Sequence, residues 1–574
     1  MMRRLKFLPL LLLFIPVVLK GLFIDDFIYH YTGARYLGLR QVLVNDAGIY
    51  CAVLLLLYVS FLTGVSRLAA AGLRLCACLV LTVYCIDYFI IVNFNTRLAM
   101  GDVSKYTGYA WRYIQQIYHL NDVSLGLLVA VAVIPVIVFA GSRRFAVSGR
   151  FRRLPIPVLM VLPVAAGVTD QQQYAHAWLY QNVLDYNLTI RSESAAYSPA
   201  FLSAFKQADA PQCAAGLVSQ KNIIILMVES LSAYQSLYFS GLNNWTPNLD
   251  TIARSHHAFK NFYANGFITE DGEIALLTGL QPVYPPASYA DEGGTSFYSF
   301  YDIKESLPRI LHKHGYKTEF LTTADLDFGN TGNWAKSIGF DYIEGHNHPD
   351  YDKWERFHFQ AAPDAALYQR MLSRIREHQG QRFFMFSKTV SSHHPYVNPE
   401  NKQQSEAEAI SYTDKQIGLF YQQLLATGFF KDGLLFIVGD HHSMTPLKKA
   451  ELDLYGQFKA SAKVPLVIVG DVQGAVTETR QFQQIDVFNS LKGMQTGQFC
   501  HTDWTGLFWA DHKVSPRYVV HRRGDNRTLV SVFTESAEYL LKLDGDRTRL
   551  IGNPAVDKAE QQSLLDKINA LRIT

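Results

Sequence analysis

The chain has 574 residues, too many for one ordinary domain, and a formal charge of +3 at pH 7 that gives nucleic-acid binding no electrostatic support. Its mean hydropathy is close to zero, an average that conceals an apolar first third followed by short hydrophobic strings set among polar loops. Two parts living in different solvents are therefore expected.

Apolar stretches run over 7–24, 47–65, 75–92, 123–140 and 154–168, most of them long enough to cross a bilayer at about 1.5 Å per residue. They predict a transmembrane domain of five helices over 1–168. No small-residue cleavage site follows the first stretch, which reads as a retained span. Arg3, Arg4 and Lys6 precede it, while Arg143, Arg144, Arg150, Arg152 and Arg153 crowd the loop before the fifth. Both groups belong on the cytoplasmic side, so an odd number of spans puts everything after Val168 outside the cytoplasm, in the periplasm or at the exterior of a bacterial cell. Tyr106, Tyr109, Trp111, Tyr113 and Tyr118 suit the outer interface, and Asp87, near the end of the third span, also reads as interfacial. Residues 169–216, rich in Gln, Ala, Ser and Tyr, read as a partly helical linker before a catalytic domain over 217–574. Cys51, Cys76, Cys78 and Cys85 lie in apolar runs as small hydrophobes; Cys213 and Cys500 either pair in an oxidising compartment or remain two thiols.

Ile223-Ile224-Ile225-Leu226-Met227-Val228 predicts a fully buried strand at the centre of a parallel sheet covered by helices on both faces, with Glu229 at its C-terminal end. Later strings repeat the pattern: 383–390 leads to His393, and 434–438 leads through Gly439 to Asp440, His441 and His442. Functional groups of open α/β sheets collect beyond the carboxyl ends of the strands, so Glu229, His393, Asp440 and His441 are expected to share one crevice. Their carboxylate oxygens and imidazole nitrogens suit a divalent ion without any thiolate. Thr269 falls at a predicted loop-to-helix junction, where backbone N–H groups can hold a phosphate and a threonine can equally be a plain helix cap. His256, His257, His312, His314, His346 and His348 read as surface residues. Towards the C-terminus, 518–520 and 529–533 predict antiparallel hairpins and 559–571 an amphipathic helix.

The ordered strings Val228-Glu229-Ser230, Thr246-Pro247-Asn248-Leu249, Phe262-Tyr263, Gly266 before Thr269, Ser392-His393-His394-Pro395-Tyr396, Tyr412 with Asp414, Gly439-Asp440-His441 and Gln484-Ile485-Asp486 resemble the lipoteichoic acid synthase and phosphoglycerol transferase branch of the alkaline phosphatase and sulfatase superfamily. The resemblance spans about 221–492. It implies an extracytoplasmic α/β alkaline-phosphatase-like (sulfatase-like) domain in the bacterial inner membrane. Glu229, Thr269, Asp440 and His441 stand at the metal-ligand positions, Thr269 is also the nucleophile, and His393 is the substrate-side histidine. The implied cofactor is one divalent ion, zinc or manganese, with magnesium also suited. The implied reaction moves phosphoglycerol from a phospholipid to a glycan, lipid or polymer acceptor through a phospho-threonine. Phosphoethanolamine transfer, phosphodiester hydrolysis and an inactive lipid-sensing relative are the alternatives. The branch's Trp-Asn-Arg string, which contacts the head group, reads Gly329-Asn330-Thr331 here.

Overall fold

The computed structural model describes residues 13–32, 35–60, 65–94, 97–98, 182–190, 197–205, 210–283, 297, 303–378, 380–445, 447–471, 474–509, 513–523, 529–551 and 557–573. The chain divides into two compact units, Met1–Arg191 and Ser192–Thr574.

In the first unit three long helices cover Ile15–Thr32, Leu37–Ser60 and Arg67–Phe94. Two of the described helices, Leu37–Ser60 and most of the third, are long and apolar enough to cross a membrane. The first carries Lys20, Asp25 and Asp26. The fourth and fifth expected spans and the aromatic stretch around Trp111 lie outside the described residues. The second helix begins ten residues before the apolar run at 47 because Asn45 and Asp46, which interrupt the hydropathy, are buried. Asp46 accepts from Lys20 at 2.9 Å and from the Tyr84 hydroxyl at 2.5 Å, so its charge is answered by neighbouring helices. Asp87 is answered in the same way: it is fully buried and binds Arg97 through both oxygens, at 2.9 and 2.7 Å. Window hydropathy registers the polar atom but not the partner that makes its burial tolerable.

The second unit is built on an eight-stranded mixed sheet. Its strands are β2 (Asn222–Val228), β3 (His257–Tyr263), β4 (Lys317–Thr322), β5 (Tyr342–Glu344), β6 (Phe383–Lys388), β7 (Gly433–Gly439), β8 (Leu466–Val469) and β9 (Val476–Gln483), in the order β5-β4-β6-β2-β7-β8-β3-β9. β2 runs parallel to β6 and β7 on either side, whereas β8 is antiparallel to β7 and β3. The unbroken apolar run of β2 follows from its place. Ile223, Ile225 and Met227 enter one core with the Thr269–Thr278 and Gln484–Thr496 helices; Ile224, Leu226 and Val228 enter the other with the Asp364–Glu377 and Glu406–Ala426 helices. Each such side chain contributes roughly 1.5–3 kcal/mol on burial.

Within the stretch read as linker, β1 (Gln212–Ala215) pairs with β10 (Gln498–His501), with Cys213 directly opposite Cys500 and disulfide-bonded to it. Composition misses this strand because it is short and exposed. Near the C-terminus β11 (Val519–Arg522) and β12 (Leu529–Phe533) form the expected antiparallel pair, which β13 (Glu538–Asp544) and β14 (Arg547–Ile551) extend into a four-stranded meander, and the Lys558–Arg572 helix packs Leu564 and Ile568 against it.

Candidate active site

Strand register assembles the centre. Val228 at the end of β2 lies opposite Gly439 at the end of β7, so Glu229 and Asp440, the next residues, emerge side by side. Asp440 N–H continues the ladder by donating to Val228 O at 3.2 Å. On the other flank Met227 lies opposite Lys388, and Thr389, just beyond β6, accepts the Glu229 N–H through Oγ1 at 3.0 Å. Ser230 takes a left-handed φ of 57°, unusual for a residue with a Cβ. That turn lets its N–H donate to Asp440 Oδ1 at 2.8 Å and its hydroxyl donate to Glu229 Oε1 at 2.8 Å. Gln484 clamps the β7 end by donating to the Gly439 and Asp440 carbonyls at 2.9 and 2.7 Å.

Thr269 opens the Thr269–Thr278 helix, behind Ile268 as N-cap. Gly272, one turn on, permits this placement: a Cβ there would lie 2.9 Å from Asp440 O, so the helix rests directly on the β7 backbone. The Thr269 hydroxyl donates to Glu229 Oε2 at 3.2 Å and lies 3.4 Å from His441 Nε2.

Glu229, Asp440 and His441 are buried and offer ligand atoms within 4.8 Å of one another. Their chemistry fits a divalent cation. His441 Nδ1 lies 2.8 Å from His442 O, to which its N–H donates, leaving the Nε2 lone pair turned to the two carboxylates. Asp440 Oδ1 accepts from Ser230 and His441 N–H, while among the described residues no N–H or hydroxyl donates to the fully buried Oδ2, which faces His441 Nε2 at 3.2 Å. Burial and the Glu229 charge push the Asp440 carboxyl well above the usual carboxylate range. Burial also raises Glu229, but His393 and His441 together with hydrogen bonds from Ser230 and Asp440 hold this carboxyl below its ordinary value. Burial pushes His441 down, towards the neutral form a metal ligand requires.

His393 is not in this hydrogen-bonded cluster. It stands at the rim, its Nδ1 2.6 Å from His394 O and its ring against His358 and Phe359, at centroid distances of 5.6 and 4.8 Å. Burial, with His393 beside them, pushes His358 down to about 4 and His394 down to about 3. His358 had no signal in the sequence, where a histidine in a polar loop looks like surface. His257, which the sequence suggests is a surface residue, is instead buried against Asp471, at 2.6 Å.

Residues 221–494 match the Sulfatase family model. This segment is a sulfatase-superfamily domain. The chain is also similar to phosphoglycerol transferase I of Salmonella arizonae and of Salmonella paratyphi B, each 26% identical over 246 residues, which is 39% of this chain and 31% of the relative. The match thus spans about a third of the curated relatives' length. Among solved structures, an alkaline phosphatase superfamily protein from Vibrio parahaemolyticus shares the fold at 18% identity and a TM-score of 0.50, over 67% of this chain and 93% of its own. The lipoteichoic acid synthase LtaP from Listeria monocytogenes gives 20% identity and a TM-score of 0.49, over 68% and 95%. The phosphoglycerol transferase relatives fall in the branch that the sequence motifs resemble.

Proposed function

We propose that this protein transfers phosphoglycerol from a membrane phospholipid to an extracytoplasmic glycan or polymer, with Thr269 carrying the group between the two. The observation that carries the reading is the Thr269 hydroxyl at a helix N-terminus, within hydrogen-bond reach of both Glu229 and His441. Thr269 Oγ attacks phosphorus, the bond to the diacylglycerol oxygen breaks, and an acceptor hydroxyl later displaces Thr269 from the same phosphorus. The Thr269 hydroxyl already donates to Glu229 Oε2, and the helix N-terminus at Thr269 would offer backbone N–H groups and its positive dipole end to the transferring oxygens. Glu229, Asp440 and His441, with Thr269, would hold zinc or manganese, or magnesium, whose chemistry here is neutralising phosphoryl charge and acidifying a hydroxyl. His393, at the rim, would bind or protonate a phosphate oxygen.

The Cys213–Cys500 disulfide supports an oxidising compartment, and the apolar helices and arginine placement support an inner-membrane protein with its catalytic unit outside the cytoplasm. One observation favours a second reading, phosphoethanolamine transfer: Thr331 stands where the branch has its arginine.

The test is metal content and turnover of the full chain. Wild type should hold about one divalent ion, lost from Glu229→Ala, Asp440→Ala and His441→Ala. Thr269→Ala should keep the fold while diacylglycerol release from phosphatidylglycerol falls by several orders of magnitude. Undiminished release by Thr269→Ala would end the reading.

A further inference from the structure

Glu270 follows Thr269 and is half-buried, yet among the described residues it has no hydrogen-bond or ion-pair partner. Its carboxylate turns to the Phe328–Asn330 turn: a Cβ on Gly329 would lie 3.3 Å from Glu270 Oε1 and 3.9 Å from Thr331 Oγ1. This is the stretch Gly329-Asn330-Thr331, which has neither an indole nor a guanidinium. Lys388 pairs with Glu273 at 2.6 Å and Arg522 with Asp271 at 3.3 Å. The wall beside the nucleophile therefore presents a hydrogen-bond acceptor. Next to it Phe328 packs on Phe359 at 4.8 Å, and Phe359 meets His393 edge-on at 4.8 Å, which joins this wall to the rim histidine. Phe359 and Gln360 both hold a left-handed φ of 55°, a conformation that residues with a Cβ seldom adopt and that fixes the aromatic ring at the rim.

We propose that Glu270 is the specificity-determining residue of this site, accepting hydrogen bonds from the hydroxyl-bearing end of the transferred head group. The inference rests on the proposed transfer through Thr269. A group esterified to phosphorus at Thr269 can project past the next side chain, whose carboxylate faces the Gly329 turn, and the two oxygens of one carboxylate can accept from the two neighbouring hydroxyls of glycerol. The ring of Phe359 offers an apolar face to its carbon skeleton. A head group without donors, such as a methyl ester, would leave the carboxylate desolvated and unpaired.

The experiment compares full-length wild type, Glu270→Ala and Glu270→Gln on phosphatidylglycerol, phosphatidylmethanol and phosphatidylethanolamine, reading KM and kcat for diacylglycerol release. Wild type should prefer the glycerol lipid to the methyl lipid. Glu270→Ala should lose that preference by about tenfold or more, mainly through KM, with Glu270→Gln in between. A preference unchanged in Glu270→Ala would overturn the proposal, as would a wild type that prefers the ethanolamine lipid and loses that preference in Glu270→Gln. Calorimetric binding of glycerol 1-phosphate against methyl phosphate to the Thr269→Ala protein, with and without Glu270→Ala, needs no turnover. Equal selectivity in the two proteins would refute the role of Glu270. Absence of diacylglycerol release by wild type would instead refute the transfer while leaving this binding result to decide on Glu270.

Discussion

Asp414 and Asp486, both within the strings that resemble the family, serve as braces. Asp414 accepts from the Asn248 N–H and Nδ2 and the Leu249 N–H, at 2.9, 2.8 and 2.8 Å, and so fastens the Pro247–Ser255 helix. Asp486 accepts from Gln483 and Gly506 N–H at 2.9 and 2.6 Å, capping its own helix and anchoring a loop. A motif in sequence marks positions under constraint without saying whether the constraint is chemical or architectural. Glu229, Asp440 and His441 were legible because each follows a strongly apolar strand; Glu270 was not, since an acid in the first helical turn reads as ordinary N-terminal charge. Lys463 makes a measurable residue-scale case. Buried, it donates to Asn261 Oδ1 at 2.6 Å, and burial together with Lys459 and Lys260 pushes it down to about 7 from 10.5. Between about pH 7 and 10.5 the unfolded chain binds more protons at this residue than the folded one, so its contribution to stability rises with pH across that window. The difference in unfolding midpoint between Lys463→Met and wild type should therefore favour the variant most at pH 6 and shrink towards pH 10. A difference that is constant with pH would contradict this.

At the level of elements, the parallel strands around β2 and the β11–β12 pair follow from hydrophobic patterning, whereas the helix at Thr269 is marked by its start signals alone, since residues 271–278 are buried on every face. β1 and the early start of the Leu37–Ser60 helix escape such patterning, since both depend on partners distant in sequence: β10 for the strand, Lys20 and Tyr84 for Asp46. The seating of the Thr269–Thr278 helix depends on the missing side chain at Gly272. An added methyl meets the Asp440 carbonyl, which cannot swing aside as a flexible side chain would, so the helix itself must shift. Gly272→Ala should lower turnover by about one to two orders of magnitude, chiefly in kcat, with a modest loss of stability. Wild-type turnover in this variant would show that contact to be slack.

For the whole molecule, the division at Arg191 separates a unit of apolar helices from the sheet unit. The arginine counts predict the sidedness of the two. A periplasm-active reporter fused after Thr574 should be active only outside the cytoplasm, and one inserted at Gly149 only when its active form is cytoplasmic; the reverse pattern would invert the orientation. The central claim is that a substituted phosphoryl group passes through Thr269, and its most direct test is the mass of the peptide containing Thr269 after brief incubation of the full-length, metal-loaded protein with phosphatidylglycerol. The account predicts a glycerol phosphate adduct on Thr269, absent from Thr269→Ala. An adduct on another residue, or turnover that continues in Thr269→Ala, would contradict it.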